Sequence, residues 1–298
     1  MKSLTHSLIA FFACAILTLT SFAGPEPIRD FKDAKDSKVI APVPPPITWT
    51  GFYSGINAGY TWSENDSVDT DTVNVSSIAG LSGDIGGDVT ALATGDVPVG
   101  TSSGFIGGIQ FGYNYQFAHH FVVGLENDIQ GVADASGHGS LAQSIAPGVF
   151  IPVPSSSVIT SSKSIDYLGT TRGRLGFTIT PTLLVYGTGG LAYGGVSSST
   201  KIVEQLGFSD TPNPFGTSGR FCDTRFGWTA GAGLEWMFCR RWSIKAEYLY
   251  YNLGSEKYNL APLQQFGLNG TLLETVSASA STGLFDGHVV RTGLNFHF

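Results

Sequence analysis

The 298 residues include 39 glycines and 12% aromatics but only 13% charged side chains, and the mean hydropathy is +0.12. Soluble domains carry about 25% charge, so part of this surface is expected to face something other than water, and a net charge of −7 argues against nucleic acid as a partner. Few helix formers beside many aromatics and glycines make a composition of strands and turns, hence an all-β class.

In chain order, residues 1–23 come first. Lys2 gives a basic start, Leu8 to Leu19 an apolar run, and Ser21-Phe22-Ala23 a small-x-small site ahead of Gly24 and Pro25. This is the pattern of a secretory signal cleaved after Ala23; a retained membrane helix needs about 20 apolar residues. Phe11-Phe12-Ala13 before Cys14 lacks the small residues of a lipid-attachment site. Cleavage removes Lys2 and leaves 15 basic against 23 acidic residues, a net charge of −8. Residues 24–48 hold RDFKDAKDSK and then APVPPP, which favours an extended, disordered, Pro-rich linker acting as tether or spacer. The domain proper is expected over 49–298.

Strand-like runs with period two then recur over Thr50 to Trp62, Gly104 to Phe117, His120 to Gln130, Ile165 to Ile179, Leu183 to Gly194, Arg225 to Phe238, Arg241 to Asn252 and Val289 to Phe298. One face of each run is apolar and rich in aromatics, the other mostly polar. Three connections are short, at Ala118-His119-His120, Thr180-Pro181-Thr182 and Cys239-Arg240-Arg241. Four are long, near residues 64 to 103, 131 to 163, 197 to 223 and 254 to 286. Short and long connections alternate, as in an up-and-down barrel of eight antiparallel strands crossing a membrane. The charged residues of these runs fall on the polar faces, and a Lys or Arg facing lipid at mid-depth costs about 2–4 kcal/mol. The polar faces are therefore expected to line the lumen. Aromatics gather at both ends of the strands, as two interfacial girdles do. Phe298, on the same face as Phe296 and Leu294, is then expected at the lipid boundary of the short-turn side. Cys222 and Cys239 flank one extended strand, too far apart to bridge at about 3.3 Å per residue, and are expected unpaired.

TWTGFYSGINAGYTW, GRLGFTITPTLLVYGTGGLAYG and the terminal Phe resemble the eight-stranded outer-membrane barrels of the porin-family surface proteins, relatives of the OmpA barrel. The resemblance covers about residues 48 to 298. It implies residence in the outer membrane of a Gram-negative bacterium, contact with its lipids and lipopolysaccharide, and insertion by the barrel assembly machinery. In that family the machinery reads a last strand ending in an aromatic, here Leu294, Phe296 and Phe298. No peptidoglycan-binding domain is expected after the barrel, and the outer loops look individual.

The candidate site is the lumen. Glu126, Asp128, Asp166, Arg172, Arg174, Glu235, Lys245, Glu247 and Arg291 are expected to form an ionic network there, because buried charges must pair to offset desolvation and an eight-strand barrel is narrow enough for side chains to fill. Expected neighbours are Glu235 with Lys245, Glu126 and Asp128 with Arg174 and Arg172, and Glu247 with Arg291. Such a network acts as a plug or as the lining of an ion path. Hydrolase chemistry needs a base and an orienting acid beside a nucleophile; His138-Gly139-Ser140 has the spacing, but the next Glu along the chain is Glu204. His119-His120 has no further metal ligands nearby. The acidic stretch with Glu64, Asp66, Asp69, Asp71, Asp84, Asp88 and Asp96 has no EF-hand spacing, so it is read as a solvated surface, and Gly83 to Gly87 as loop flexibility. No enzyme, cofactor or metal is expected. The expected role is that of a structural or surface protein in envelope integrity, adhesion or antigen display, whose Ser/Thr/Gly-rich loops contact a host or another cell. A small diffusion channel is the alternative.

Overall fold

The computed structural model describes residues 47–63, 67–77, 92–146, 155–206, 215–266 and 271–298. The signal segment, its cleavage site and nearly all of the linker lie outside them, as do Glu64, Asp66, Asp84, Asp88 and Gly83 to Gly87. The strands are β1 (Gly51–Trp62), β2 (Ser67–Ser77), β3 (Gly95–Pro98), β4 (Ser103–Phe117), β5 (Phe121–Ala133), β6 (Ser136–Ile145), β7 (Ser155–Thr180), β8 (Leu183–Leu206), β9 (Phe215–Cys239), β10 (Trp242–Asn252), β11 (Lys257–Asn259), β12 (Leu263–Phe266), β13 (Leu272–Thr282) and β14 (Asp286–His297). Eight of these close an antiparallel ring in the order β5-β4-β1-β14-β10-β9-β8-β7 and back to β5. They are the eight runs read from the sequence.

Period-two alternation sorts the ring as lipid requires. Phe52, Phe105, Phe111, Leu175, Leu234 and Trp236 are exposed on the outside, while the alternate positions Asn57, Gln110, Arg172 and Glu235 are buried inside. Aromatic pairs mark both rims: Phe117 stacks on Phe121 and Trp242 meets Phe296 near the short turns, while Tyr60 meets Phe105 and Trp228 meets Tyr250 further along. The turn between β4 and β5 uses Ala118 and His119 in the left-handed region, at φ 46° and 65°.

The described residues of the long connections are largely strand. β7, β8 and β9 run for 26, 24 and 25 residues, whereas a tilted membrane crossing takes about 9–11. The excess stands beyond the ring as a ribbon that β6 extends by pairing with β7. A second sheet forms from β11, β13, β2 and β3, with β12 also on β13. Val68, Val97, Ile159, Ile202, Leu260 and Ala278 fill a core shared by the two parts. The strands expected from the sequence are shorter because these segments, such as SSSVITSSKSI, alternate aliphatics with Ser and Thr and lack the aromatic signature of the lipid face.

A bulge sits between Ile165 and Tyr167 on β7. Below it the even-numbered positions Leu168, Thr170, Arg172 and Arg174 point inward; above it the odd positions Ile159, Ser161, Lys163 and Ile165 do. One extra residue reverses which face a strand presents.

The candidate site: a charge cluster within the barrel

The barrel interior is layered. At the short-turn rim, Trp49 folds into the mouth with Val122, Leu184, Tyr186 and Met237, and Ile47 packs against them. The Trp49 indole N–H donates to the Pro181 carbonyl at 3.2 Å and its backbone N–H to Gln116 Oε1 at 2.9 Å. Ile47 and Thr48, the last two residues of the segment assigned to the linker, thus belong with the barrel.

Above that layer lie four carboxylates, Glu126, Asp128, Glu235 and Glu247, and four cations, Arg172, Arg174, Lys245 and Arg291, all essentially inaccessible. Arg172 is the hub, 2.5 Å from Glu126, 2.8 Å from Asp128 and 2.9 Å from Glu247. Arg291 lies 2.6 Å from Glu247 and 2.8 Å from Asp128. Arg174 lies 2.6 Å from Glu235, and Lys245 2.8 Å from Glu126. Formal charges cancel. Backbone register accounts for the convergence: Glu126 is opposite Arg172 on β7, and Glu247 opposite Arg291 on β14. Small residues make the room. A Cβ on Gly59, which faces Arg291, would collide with that arginine and the Val290 carbonyl.

Most of the residues named from the sequence meet here: Glu126 and Asp128 with Arg172, and Glu247 with Arg291, are the expected neighbours, and one pairing differs. Glu235 and Lys245 are cross-strand neighbours, yet Lys245 reaches Glu126 while Glu235 takes Arg174. Asp166 stands apart. It occupies the bulge on β7 and is exposed, because the bulge breaks the parity that put it with Arg172. Several uncharged members were missed. The Tyr53 hydroxyl donates to Glu126 Oε2 at 2.7 Å and accepts from Arg174 at 2.7 Å. Tyr186 donates to Glu247 at 3.0 Å and lies under the Arg174 guanidinium, 3.8 Å away. Asn295 and Ser243 both donate to Glu235 Oε1. Their inward parity was the available signal.

Immediately above the charges the lumen turns apolar. Ile106, Leu168, Leu249, Tyr251, Phe285 and Val289 form a buried cluster across it. Two of them, Leu249 and Val289, share the polar face of their strands with the cluster and sit two positions beyond its charges Glu247 and Arg291.

The other candidates separate. His138 and Ser140 are exposed on β6, whereas Glu204 is buried on the inner face of β8, so no nucleophile, base and acid come together. His120 Nδ1 contacts the Thr178 carbonyl at 3.2 Å. Asp69 faces Asp96 across β2 and β3, and desolvation with that neighbouring charge raises its pKa. Cys222 and Cys239 are free thiols at the surface. Leu294 and Phe298 point outward, Phe298 being 76% exposed.

Residues 39–298 match the family described as outer membrane protein beta-barrel domain. The 31 kDa outer-membrane immunogenic protein of Brucella melitensis is 35% identical over 276 residues, covering 89% of this chain and 92% of that one. The 22 kDa outer membrane protein of Rhizobium leguminosarum bv. viciae is 29% identical over 74% of this chain and 72% of its own. Among solved structures, the outer membrane protein OprG of Pseudomonas aeruginosa aligns over 84% of this chain and 97% of its own at 12% identity, with a TM-score of 0.35.

Proposed function

The chain belongs to the outer membrane β-barrel family, and from that premise we propose that it is a closed, non-enzymatic barrel holding a folded β cap at the cell surface. Its role is structural and surface-related: envelope integrity, adhesion or display of an antigen. The supporting observation is that side chains occupy the lumen in three successive layers, Trp49 and its neighbours at the periplasmic mouth, the neutral charge cluster, and the apolar layer above it. A hydrated path would have to cross an apolar layer and break paired charges. The name of the Brucella relative, an immunogenic protein, agrees with a cap accessible from outside. In this reading lipopolysaccharide surrounds the outer girdle, a host or neighbouring cell meets the cap, and the assembly machinery recognises the closing strand through Leu294, Phe296 and Phe298.

The alternative is a small diffusion channel, and one recording separates the two. The refolded mature chain in a planar bilayer at high salt is expected to be silent, with folding verified by resistance to protease. Discrete conductance in the folded wild type that Glu126→Gln or Arg291→Ala alters would make the protein a channel.

A further inference from the structure

The cap contains a polar pocket that its fold leaves unsatisfied. Glu204 lies about 20 residues along β8 from the periplasmic turn, well beyond the membrane, and is 0% exposed. Neither of its carboxylate oxygens has a hydrogen-bond partner among the described residues. Across β7 it faces Ser157, and Ser155 follows two positions along on the same inner face. Both serines are buried, and their hydroxyls also lack partners. Phe215 opposes Glu204 on β9 and packs against Leu263 and Val276, which places β12 and β13 over the same interior. Two residues before Val276, on the same side of β13, is Glu274, also buried and held by the Asn74 amide at 2.6 Å.

Four unpartnered oxygens on one inner face, with a second carboxylate near enough to influence the first, are costly. An ionised carboxylate in an apolar interior must be paired, bound to a metal or protonated. The nearest lysine on the same strand, Lys201, is exposed and points away. Burial, and after it the charge of Glu274, pushes the Glu204 carboxyl up to about 8; burial raises Glu274 as well. Two carboxylates and two hydroxyls are hard oxygen donors without nitrogen or sulfur, the set that suits calcium, whose coordination water and carbonyl groups can complete.

We propose that Glu204, Glu274, Ser155 and Ser157 form a binding site for a hard divalent cation of the calcium class that locks β7 and β8 to β13 inside the cap. The site is independent of the exposed acidic residues Asp69, Asp71 and Asp96, which have no buried donor among them. A cation there ties the barrel's own strands to the second sheet, so metal occupancy controls how firmly the cap is closed.

The test uses the full mature chain, refolded without lipopolysaccharide in an uncharged detergent and stripped with a chelator. Calorimetric titration with CaCl2 is expected to give one site per chain, and saturating calcium to raise the thermal midpoint by about 5 °C. Glu204→Gln, which keeps shape and removes charge, is expected to weaken binding at least tenfold while the chain still folds. Ser157→Ala should weaken it less, and Asp69→Asn with Asp96→Asn should leave it unchanged. Unaltered binding in Glu204→Gln, or binding lost only in the Asp69 and Asp96 variant, would place the cation elsewhere and overturn the site. Absence of calcium binding to the folded wild type would overturn it too, and would leave Glu204 to be neutralised by a proton.

Discussion

The barrel and the cap share strands β7, β8 and β9 and are inside out relative to each other. On β9, Leu234 and Trp236 face outward in the barrel and Arg220 and Cys222 face outward in the cap. On β7, Arg172 and Arg174 face inward in the barrel, and Ile159 and Ile165 do so above the bulge. The chain does not change its secondary structure between these regions; its solvent changes. In lipid, the outer face costs nothing to leave apolar and the charges must neutralise one another within. In water, the hydrophobic effect returns and the aliphatic face closes on the second sheet. The bulge at Asp166 lets β7 serve both environments, and Asp166 itself is exposed where the strand changes face.

The largest effect should come from the barrel's charge cluster. Arg172→Met removes the partner of three buried carboxylates, leaving Glu126, Asp128 and Glu247 with an excess of negative charge. Breaking a buried pair from one side costs about 3–5 kcal/mol, so urea unfolding in lipid vesicles, followed by tryptophan fluorescence, should show a loss of that order. A hydrophobic replacement at Ile202 in the cap, such as Ile202→Val, should cost about 0.5–1.5 kcal/mol. A near-neutral Arg172→Met would mean that water or ions already screen the cluster, and the lumen would then be wet.

A second pair of variants tests the outer faces. Leu234, 51% exposed, faces lipid; Val158, 45% exposed, faces water. Their accessibilities are alike, so exposure alone cannot distinguish them. Leu234→Arg should cost about 2–4 kcal/mol by desolvation at mid-membrane, and Val158→Arg should fall within about 0.5 kcal/mol of wild type. Equal costs would show that the membrane boundary has been drawn at the wrong height.

The same contrast decides what could be read from the sequence. The ring was legible because lipid imposes a strong rule: aromatic and aliphatic residues on one face, charge on the other, with short turns at one end. Most of the charge cluster followed from that parity, since Glu126, Arg172, Glu247 and Arg291 had no other allowed direction. Asp166 failed because a one-residue bulge leaves no mark in composition. The cap was read as loops because Ser, Thr, Val and Ile alternate there without aromatics, and its core is assembled from segments far apart in the chain, such as Val68, Ile202 and Ala278. Ile47 falls in the segment assigned to the linker because nothing local says that it packs with Trp49 at the barrel mouth. Side-chain partners were less legible than faces: Lys245 prefers Glu126 over its cross-strand neighbour Glu235 because lumen side chains reach across the ring.

The last prediction distinguishes the regions by pH. Glu204, with its carboxyl pushed up to about 8 from an ordinary 4.5, holds a proton in the native cap at pH values where the unfolded segment has lost it. Between these two values the native state binds more protons than the unfolded state, so stability must fall as pH rises through that window and level off above it. In calcium-free buffer the loss should be on the order of 2 kcal/mol once the pocket relaxes, read as faster proteolysis of the cap between about pH 5 and pH 9. Glu204→Gln should flatten that dependence, because an amide has no proton to release. Calcium should flatten it in the wild type, because the cation then neutralises the carboxylate. The barrel, judged by its resistance to urea, should not follow the same curve, since its charges already balance one another. If barrel and cap lose stability together in Glu204→Gln as in the wild type, the pH dependence belongs to some other group and the two regions unfold as one unit.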